Sequence, residues 1–356
     1  MCEYLRCFKF SDIKQYDNVI DQVRHRAQYI GSDSDGEVMY DTTKPLPTLY
    51  YTGTVKLHGT NSAIGFIVDS GTTWYQSRER LLSLDDDCYG FMAHFVQHKN
   101  TTDALLAKLK SDYVEFMLQK QYTRIIIYGE WCGGRIKKKT IINTLPKMFV
   151  VFAVKFAHDD GTGQYLSLEQ LREYIGVNEK ARIFNTVDFG TYSVVIDFEH
   201  PEESQEILTQ LTLQVEKECP AAKCFGVSGL GEGIVWTCDD SGYTESKFRF
   251  KTKGKLHSAK IREIAPVDIE KLNSIKQCVE TLIDENRLEQ GLDHLNEYNF
   301  QIDESNIGIF IRWVVQDCIK EEADTIAASG LPKKEVHKAM SHYAKNWFKQ
   351  QLRADT

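Results

Sequence analysis

Residues 49–69 read LYYTGTVKLHGTNSAIGFIVD. LYYTGTV and SAIGFIVD both alternate apolar with small or polar residues, the two-residue period of a half-buried strand. Between them stands KLHGTN, a lysine followed by a cluster of small hydrogen-bonding residues. The stretch therefore reads as strand, tight connection, strand, with Lys56 closing the first strand. A lone ammonium in that position is ordinarily a solvated hairpin lysine; the alternative is an amine placed to react.

Similar short apolar bursts recur as far as about residue 255: RIIIYGEW, MFVVFAVKF, GIVWTC and KFRFKTK. Helical patterns lie between them, such as TDALLAKLKSDYVEFMLQK at 102–120, which puts Leu105, Leu106, Leu109, Tyr113 and Phe116 on one face. Mixed elements with strands of this kind indicate an α+β domain built on antiparallel sheet. After Ile264 the pattern changes. Pro266 opens a region with apolar positions at three- and four-residue spacing and almost no strand signal, in VDIEKLNSIKQCVETLIDENRL, ESNIGIFIRWVVQDCIKEEAD and PKKEVHKAMSHYAKNWFKQQLR. The expected organisation is residues 1–262 as the sheet domain and 263–356 as a small all-helical domain.

The chain has 356 residues, enough for two cores of this size. With 42% hydrophobic and 26% charged residues it has a globular rather than a disordered composition. No apolar run is long enough to cross a bilayer, and the amino-terminal residues lack a secretory pattern. The nine cysteines are odd in number and form no Cys-x-x-Cys pair, so reduced thiols are expected. A soluble cytoplasmic monomer is the expectation, in a host cytoplasm if the gene is viral. His94 and His98 are four apart on a helical pattern but lack a third ligand nearby, and read as solvated.

A net charge of −8 argues against a protein that coats nucleic acid indiscriminately. Local basic faces matter more. RIKKK spans 135–139, and no acidic residue occurs from Lys247 to Arg262. In KFRFKTKGKLH, the cations Lys247, Arg249, Lys251, Lys253 and Lys255 fall on alternate positions, opposite Phe248 and Phe250. In a strand all five would share one face. Such a face is usually a soluble edge, but it also suits a phosphate ligand. A lysine amine is nucleophilic only when neutral, and neighbouring cations with partial burial favour that form. If this strand lies beside Lys56, an anionic electrophile such as a phosphoryl group is the natural target. Glu130 and Glu232, both at strand ends, could then serve a divalent metal, though each alone reads as a solvated terminus. Gly229, Gly231 and Gly233 form no phosphate-binding loop and read as a turn.

These segments together resemble the motifs of the covalent nucleotidyltransferases. Lys56-Leu57-His58-Gly59-Thr60-Asn61 is similar to motif I in the form typical of RNA ligases, Ser77-Arg78 to motif Ia and Tyr128-Gly129-Glu130 to motif III. Phe149 to Phe152 resembles the aromatic motif IIIa, Glu232-Gly233-Ile234-Val235 motif IV, and Lys251-Thr252-Lys253 motif V. The six occur in family order, and the helical tail is similar to that of the bacteriophage RNA ligase 2 family. Two positions depart from the pattern: Val55 precedes the lysine where a polar residue is frequent, and Ala153 stands where an aspartate is frequent.

The resemblance implies a nucleotidyltransferase domain of the ATP-grasp-like ligase type, followed by a helical domain that engages RNA. It implies ATP as substrate, with magnesium or manganese, and a lysyl-AMP intermediate on Lys56. AMP would pass to the 5′-phosphate at an RNA break, most naturally a nick in duplex RNA, and the adjacent 3′-hydroxyl would displace it. Lys56, His58, Asn61, Lys251 and Lys253 would be catalytic. Val55, Leu57, Arg78 and Phe152 would join Lys56, Asn61, Lys251 and Lys253 around the nucleotide. Glu130 and Glu232 would serve ribose or metal. A DNA ligase or a GTP-dependent capping enzyme would carry an OB-fold after motif V, and nothing after Ile264 reads as five strands. A non-catalytic RNA-binding relative would have little need of Lys56, Glu130, Glu232, Lys251 and Lys253 together.

Overall fold

The computed structural model describes residues 5–33, 36–136, 140–254, 275–322, 326 and 329–354. The chain divides into two units, Met1–Gly254 and Lys255–Thr356. The expected boundary at 262/263, Lys255 of the basic segment and Lys137 to Lys139 of RIKKK lie outside the described residues.

The first unit carries twelve strands among its described residues: β1 (Tyr29–Ser32), β2 (Val38–Tyr40), β3 (Thr48–Lys56), β4 (Thr60–Ile67), β5 (Thr73–Ser77), β6 (Arg124–Cys132), β7 (Met148–Ala157), β8 (Gly163–Tyr165), β9 (Ile183–Asn185), β10 (Thr191–Asp197), β11 (Gly233–Cys238) and β12 (Phe250–Lys253). Apart from the small β1-β2 pair, they form two sheets, ordered β10-β3-β11-β12 and β5-β4-β6-β7-β8, with β9 beside β7. All pairings are antiparallel except β7 with β9. The α+β class expected from the sequence is the one observed.

Alternation explains how each sheet is covered. Leu49, Tyr51 and Val55 of β3, Ile234 and Trp236 of β11 and Phe250 of β12 are buried in one core, with Val19 and Val23 of the helix Tyr16–Gln28 and Leu208 and Val215 of the helix Gln205–Lys217. The intervening residues face away from that core, among them Thr54, Lys56, Lys251 and Lys253. The second sheet is covered on both faces. Ile64, Ile125, Ile127 and Phe156 pack with Phe91, Phe95, Leu106 and Leu109 from the helices Phe91–Gln97 and Lys99–Asp112. On its other face Ala63, Ile126, Tyr128 and Ala153 pack with Phe8 and Phe10 from the amino-terminal segment.

Two sequence readings are corrected. KFRFKTK is not one strand: residues Ser246–Phe248 form a 3₁₀ turn, and only Phe250–Lys253 is strand. Lys247 therefore leaves the cationic row and pairs with Glu245 at 3.4 Å. Likewise, His94 and His98 are not solvated. Both are half-buried, and each has a ring nitrogen within 2.8 Å of a carbonyl oxygen, that of Ala181 for His94 and of His94 for His98.

The described part of the second unit is helical: Ile275–Leu282, Glu285–Glu297, Ile307–Glu321 and Lys333–Ala354. Phe310, Val314 and Cys318, and Val336, Met340, Ala344 and Phe348, repeat every four residues and form its core. Gly291 allows close approach, because a Cβ there would stand 2.7 Å from Phe310 and Val314. Buried Arg287 ties the helices together through Asp317 at 3.2 Å and Glu322 at 3.6 Å.

Candidate active site

The chain passes from the first sheet to the second through Leu57-His58-Gly59, and the site forms at this crossing. Lys56 ends β3 directly opposite Gly233 of β11, and Gly233 is in turn opposite Lys253 of β12. Residues in direct register share a face, so the two lysines stand on either side of a glycine. A side chain on Gly233 would run into the carbonyl of Thr252.

Glu232, immediately before β11, reaches this pair. Its Oε1 lies 2.7 Å from Lys56 Nζ and 3.5 Å from Lys253 Nζ, and its Oε2 lies 3.4 Å from His58 Nδ1. Oε2 accepts no hydrogen bond among the described residues. Glu232 is only 3% exposed. Burial opposes its ionisation, but Lys56, His58 and Lys253 outweigh that and hold the carboxyl well below the usual range. The nearest charged neighbour of Lys56 is thus a carboxylate, and Lys253 of the expected cationic row shares that carboxylate with it. Lys251 stands two register pairs further along on the same face, opposite Val235.

Glu130 lies on β6 of the second sheet. It is opposite Asn61 of β4 and Val150 of β7, and its Oε1 accepts the Gly59 N–H at 2.8 Å. That bond fixes the turn after Lys56. Gly59 is required there, since a Cβ would meet the carbonyl oxygen of Trp131 and stand 2.7 Å from Cys132 Cβ. Burial raises the Glu130 carboxyl, with Lys56 and Arg78 opposing and Glu232 adding to the rise. The two glutamates are therefore displaced in opposite directions. Arg78 is exposed one residue past the end of β5.

Phe152 owes its direction to a β-bulge. Tyr128 pairs with Ala153 but Gly129 pairs with Val151, leaving Phe152 as the extra residue. Phe152 and Ala153 consequently both pack on the sheet face bearing Tyr128, and Phe152 meets Phe10 edge-on at 4.9 Å. This is the face that carries Asn61 and Glu130. Val55 and Leu57, in contrast, bury their side chains in the core at 3% and 6% exposure and can offer a ligand only backbone. The structure therefore brings together Lys56, His58, Glu130, Glu232 and Lys253. Sequence reasoning missed Gly59 as a close-approach residue; its position within the KLHGTN turn was the available signal.

Residues 49–253 match the family model described as RNA ligase, and the chain belongs to that family. No curated protein sequence matches it. Among solved structures, it is similar to a mutant of Naegleria gruberi RNA ligase with ATP and Mn, at 14% identity and a TM-score of 0.40, over 71% of this chain and 58% of that one. The same ligase with PPi gives 15% and 0.39, over 71% and 60%. An archaeal ATP-dependent RNA ligase gives 12% and 0.37, over 98% and 67%. This chain thus spans less than two thirds of the Naegleria gruberi protein. No helix among the described residues is long and apolar enough to cross a membrane.

Proposed function

We propose that this protein is an ATP-dependent RNA ligase that works through a covalent adenylate on Lys56. The observation that carries the reading is the Lys56–Glu232–Lys253 cluster at the crossing between sheets, with Glu130 of β6 accepting from the crossing turn. Lys56 Nζ, after losing its proton to solvent and releasing its hold on Glu232, forms a P–N bond to the α-phosphorus of ATP as pyrophosphate leaves. An ammonium paired with a carboxylate is no nucleophile, so release of Glu232 is part of the step. Lys253 and Lys251 face the charge that develops on the phosphate oxygens. Arg78 and Asn61 contact phosphate or sugar, and the bulged Phe152 offers a ring to the adenine.

The donor set fits magnesium or manganese. Glu232 Oε2 is buried and accepts no hydrogen bond among the described residues, and Glu130 supplies a second carboxylate. Two carboxylates completed by phosphate and water are the oxygen donor set that a hard divalent cation takes. When bound, such an ion would neutralise phosphate charge and occupy carboxylate oxygens of Glu232 and Glu130.

AMP next passes from Lys56 to the 5′-phosphate of an RNA end, and the neighbouring 3′-hydroxyl displaces it to close the phosphodiester. His58 adjoins Lys56 in the crossing turn, and its role is to orient that 5′-phosphate. A nick in duplex RNA is the preferred substrate, recognised by shape with help from the helical unit, and the protein acts as a cytoplasmic monomer. Three labelled substrates, nicked RNA duplex, single-stranded RNA and nicked DNA duplex, are incubated with ATP and magnesium. Sealing of the RNA nick above the other two is expected. Sealing of the DNA nick alone, or of none while Lys56 is adenylated, refutes the assignment of substrate.

A further inference from the structure

A second basic surface lies beyond Glu130 on the first unit. Cys132 ends β6 opposite Met148, and Lys147 immediately precedes Met148. At about 3.4 Å per residue, that places Lys147 roughly 10 Å along the strand direction from Glu130. Its ammonium donates to the carbonyl of Tyr89 at 2.7 Å, an oxygen that also accepts from Trp131 Nε1 at 3.2 Å. Arg182 donates to the carbonyls of Lys147 at 3.4 Å and Pro146 at 3.2 Å, and its guanidinium lies over Phe184 and Phe225. Arg135 is exposed and has φ 65°, after Gly133 and Gly134. A Cβ on Gly134 would run into Lys147 Cγ, so the glycine pair lets the turn close over the lysine stem.

These three neighbouring cations share one feature. Among the described residues none forms an ion pair with a carboxylate, although the chain carries a net charge of −8. Lys147 and Arg182 donate instead to neutral carbonyls, which fix their position and leave their charge uncompensated.

We propose that Arg135, Lys147 and Arg182 form a phosphate track for the RNA strand flanking the break. The proposal rests on the RNA ligase reading and names a binding surface outside the adenylylation site. A polyanion with regularly spaced charges suits separated cations better than one compact anion does, and the track begins about 10 Å from Glu130 along the strand direction.

The test is the double variant Arg135→Asn with Lys147→Gln. Asparagine tolerates a positive φ, and the glutamine amide can still donate to the Tyr89 carbonyl, so charge is removed while the local bonds remain. Two quantities are measured on the full chain: self-adenylylation with ATP alone, and the salt dependence of binding to nicked duplex RNA. Self-adenylylation is expected to be unchanged. The slope of log K against log salt is expected to become shallower by about 1.4 to 1.8, the loss of two phosphate contacts. An unchanged slope with unchanged adenylylation overturns the track and leaves the ligase reading standing. Loss of self-adenylylation in a variant with unchanged thermal stability also overturns it, since the residues would then belong to the nucleotide step. A wild type that never adenylates is a different result and falls on the proposed function.

Discussion

Glu232→Gln isolates the charge that organises the site. The carboxylate is 2.7 Å from Lys56 and 3.5 Å from Lys253. At an effective dielectric of about 20 these pairs correspond to roughly 6 and 5 kcal/mol of Coulomb energy before desolvation is subtracted. Breaking a fully buried pair costs about 3–5 kcal/mol. The two lysine side chains keep 20% and 23% of their surface, so solvent takes up part of the loss and about 2–3 kcal/mol is expected at pH 7. The carboxyl is held well below its usual range in the fold, so its contribution is complete above the ordinary carboxylate value of about 4.3 and disappears as pH falls through the depressed one. Urea unfolding of wild type and variant, followed by hydrogen exchange in β3 and β11, should show a gap that is constant from pH 7 to about 5 and closes in acid. Equal stability at pH 7, or a gap that persists when carboxylates are protonated, would refute the reasoning.

Other expectations can be checked alongside. Glu130 is displaced upward, so the folded state holds its proton more tightly than the unfolded chain, and its ionisation costs stability as pH rises through the raised value. Glu130→Gln keeps an oxygen for the Gly59 N–H and should match or exceed wild-type stability at pH 7, by up to about 1 kcal/mol, while self-adenylylation falls; denaturant titration and labelling measure the two. Gly59→Ala forces the crossing turn away from Trp131 and Cys132 and should lose about 1–3 kcal/mol together with adenylylation, seen by the same two assays. In the helical unit, Arg287→Met strands Asp317 and Glu322 and should cost about 2–4 kcal/mol by hydrogen exchange of that unit. Replacing all three with apolar residues should recover most of that loss.

Much of the site is legible in the sequence because KLHGTN sits between two clear alternations, which mark the turn and its lysine. The α+β class followed from the same alternation. The charge arrangement was less legible. Glu232 follows a glycine-rich turn and resembles a solvated terminus; only strand register brings it against Lys56. Register also decides which of the alternating cations count. Phe250 and Lys253 remained in strand, while Ser246–Phe248 turned, because Phe248 joins the core from a 3₁₀ turn. Phe152 depended on a bulge, an insertion that a strict two-residue period hides. Phe8 and Phe10, which pack beneath the Phe152 face, come from an amino-terminal segment without periodic signal.

The adduct itself is the most direct measurement. The protein is incubated with magnesium and α-labelled ATP, digested, and the labelled peptide sequenced by mass spectrometry, with Lys56→Ala in parallel. The account predicts a single AMP on Lys56, stable to alkali and released by acid as a phosphoramidate, and none in the variant. An AMP carried on another residue, or equal labelling of Lys56→Ala, would contradict it.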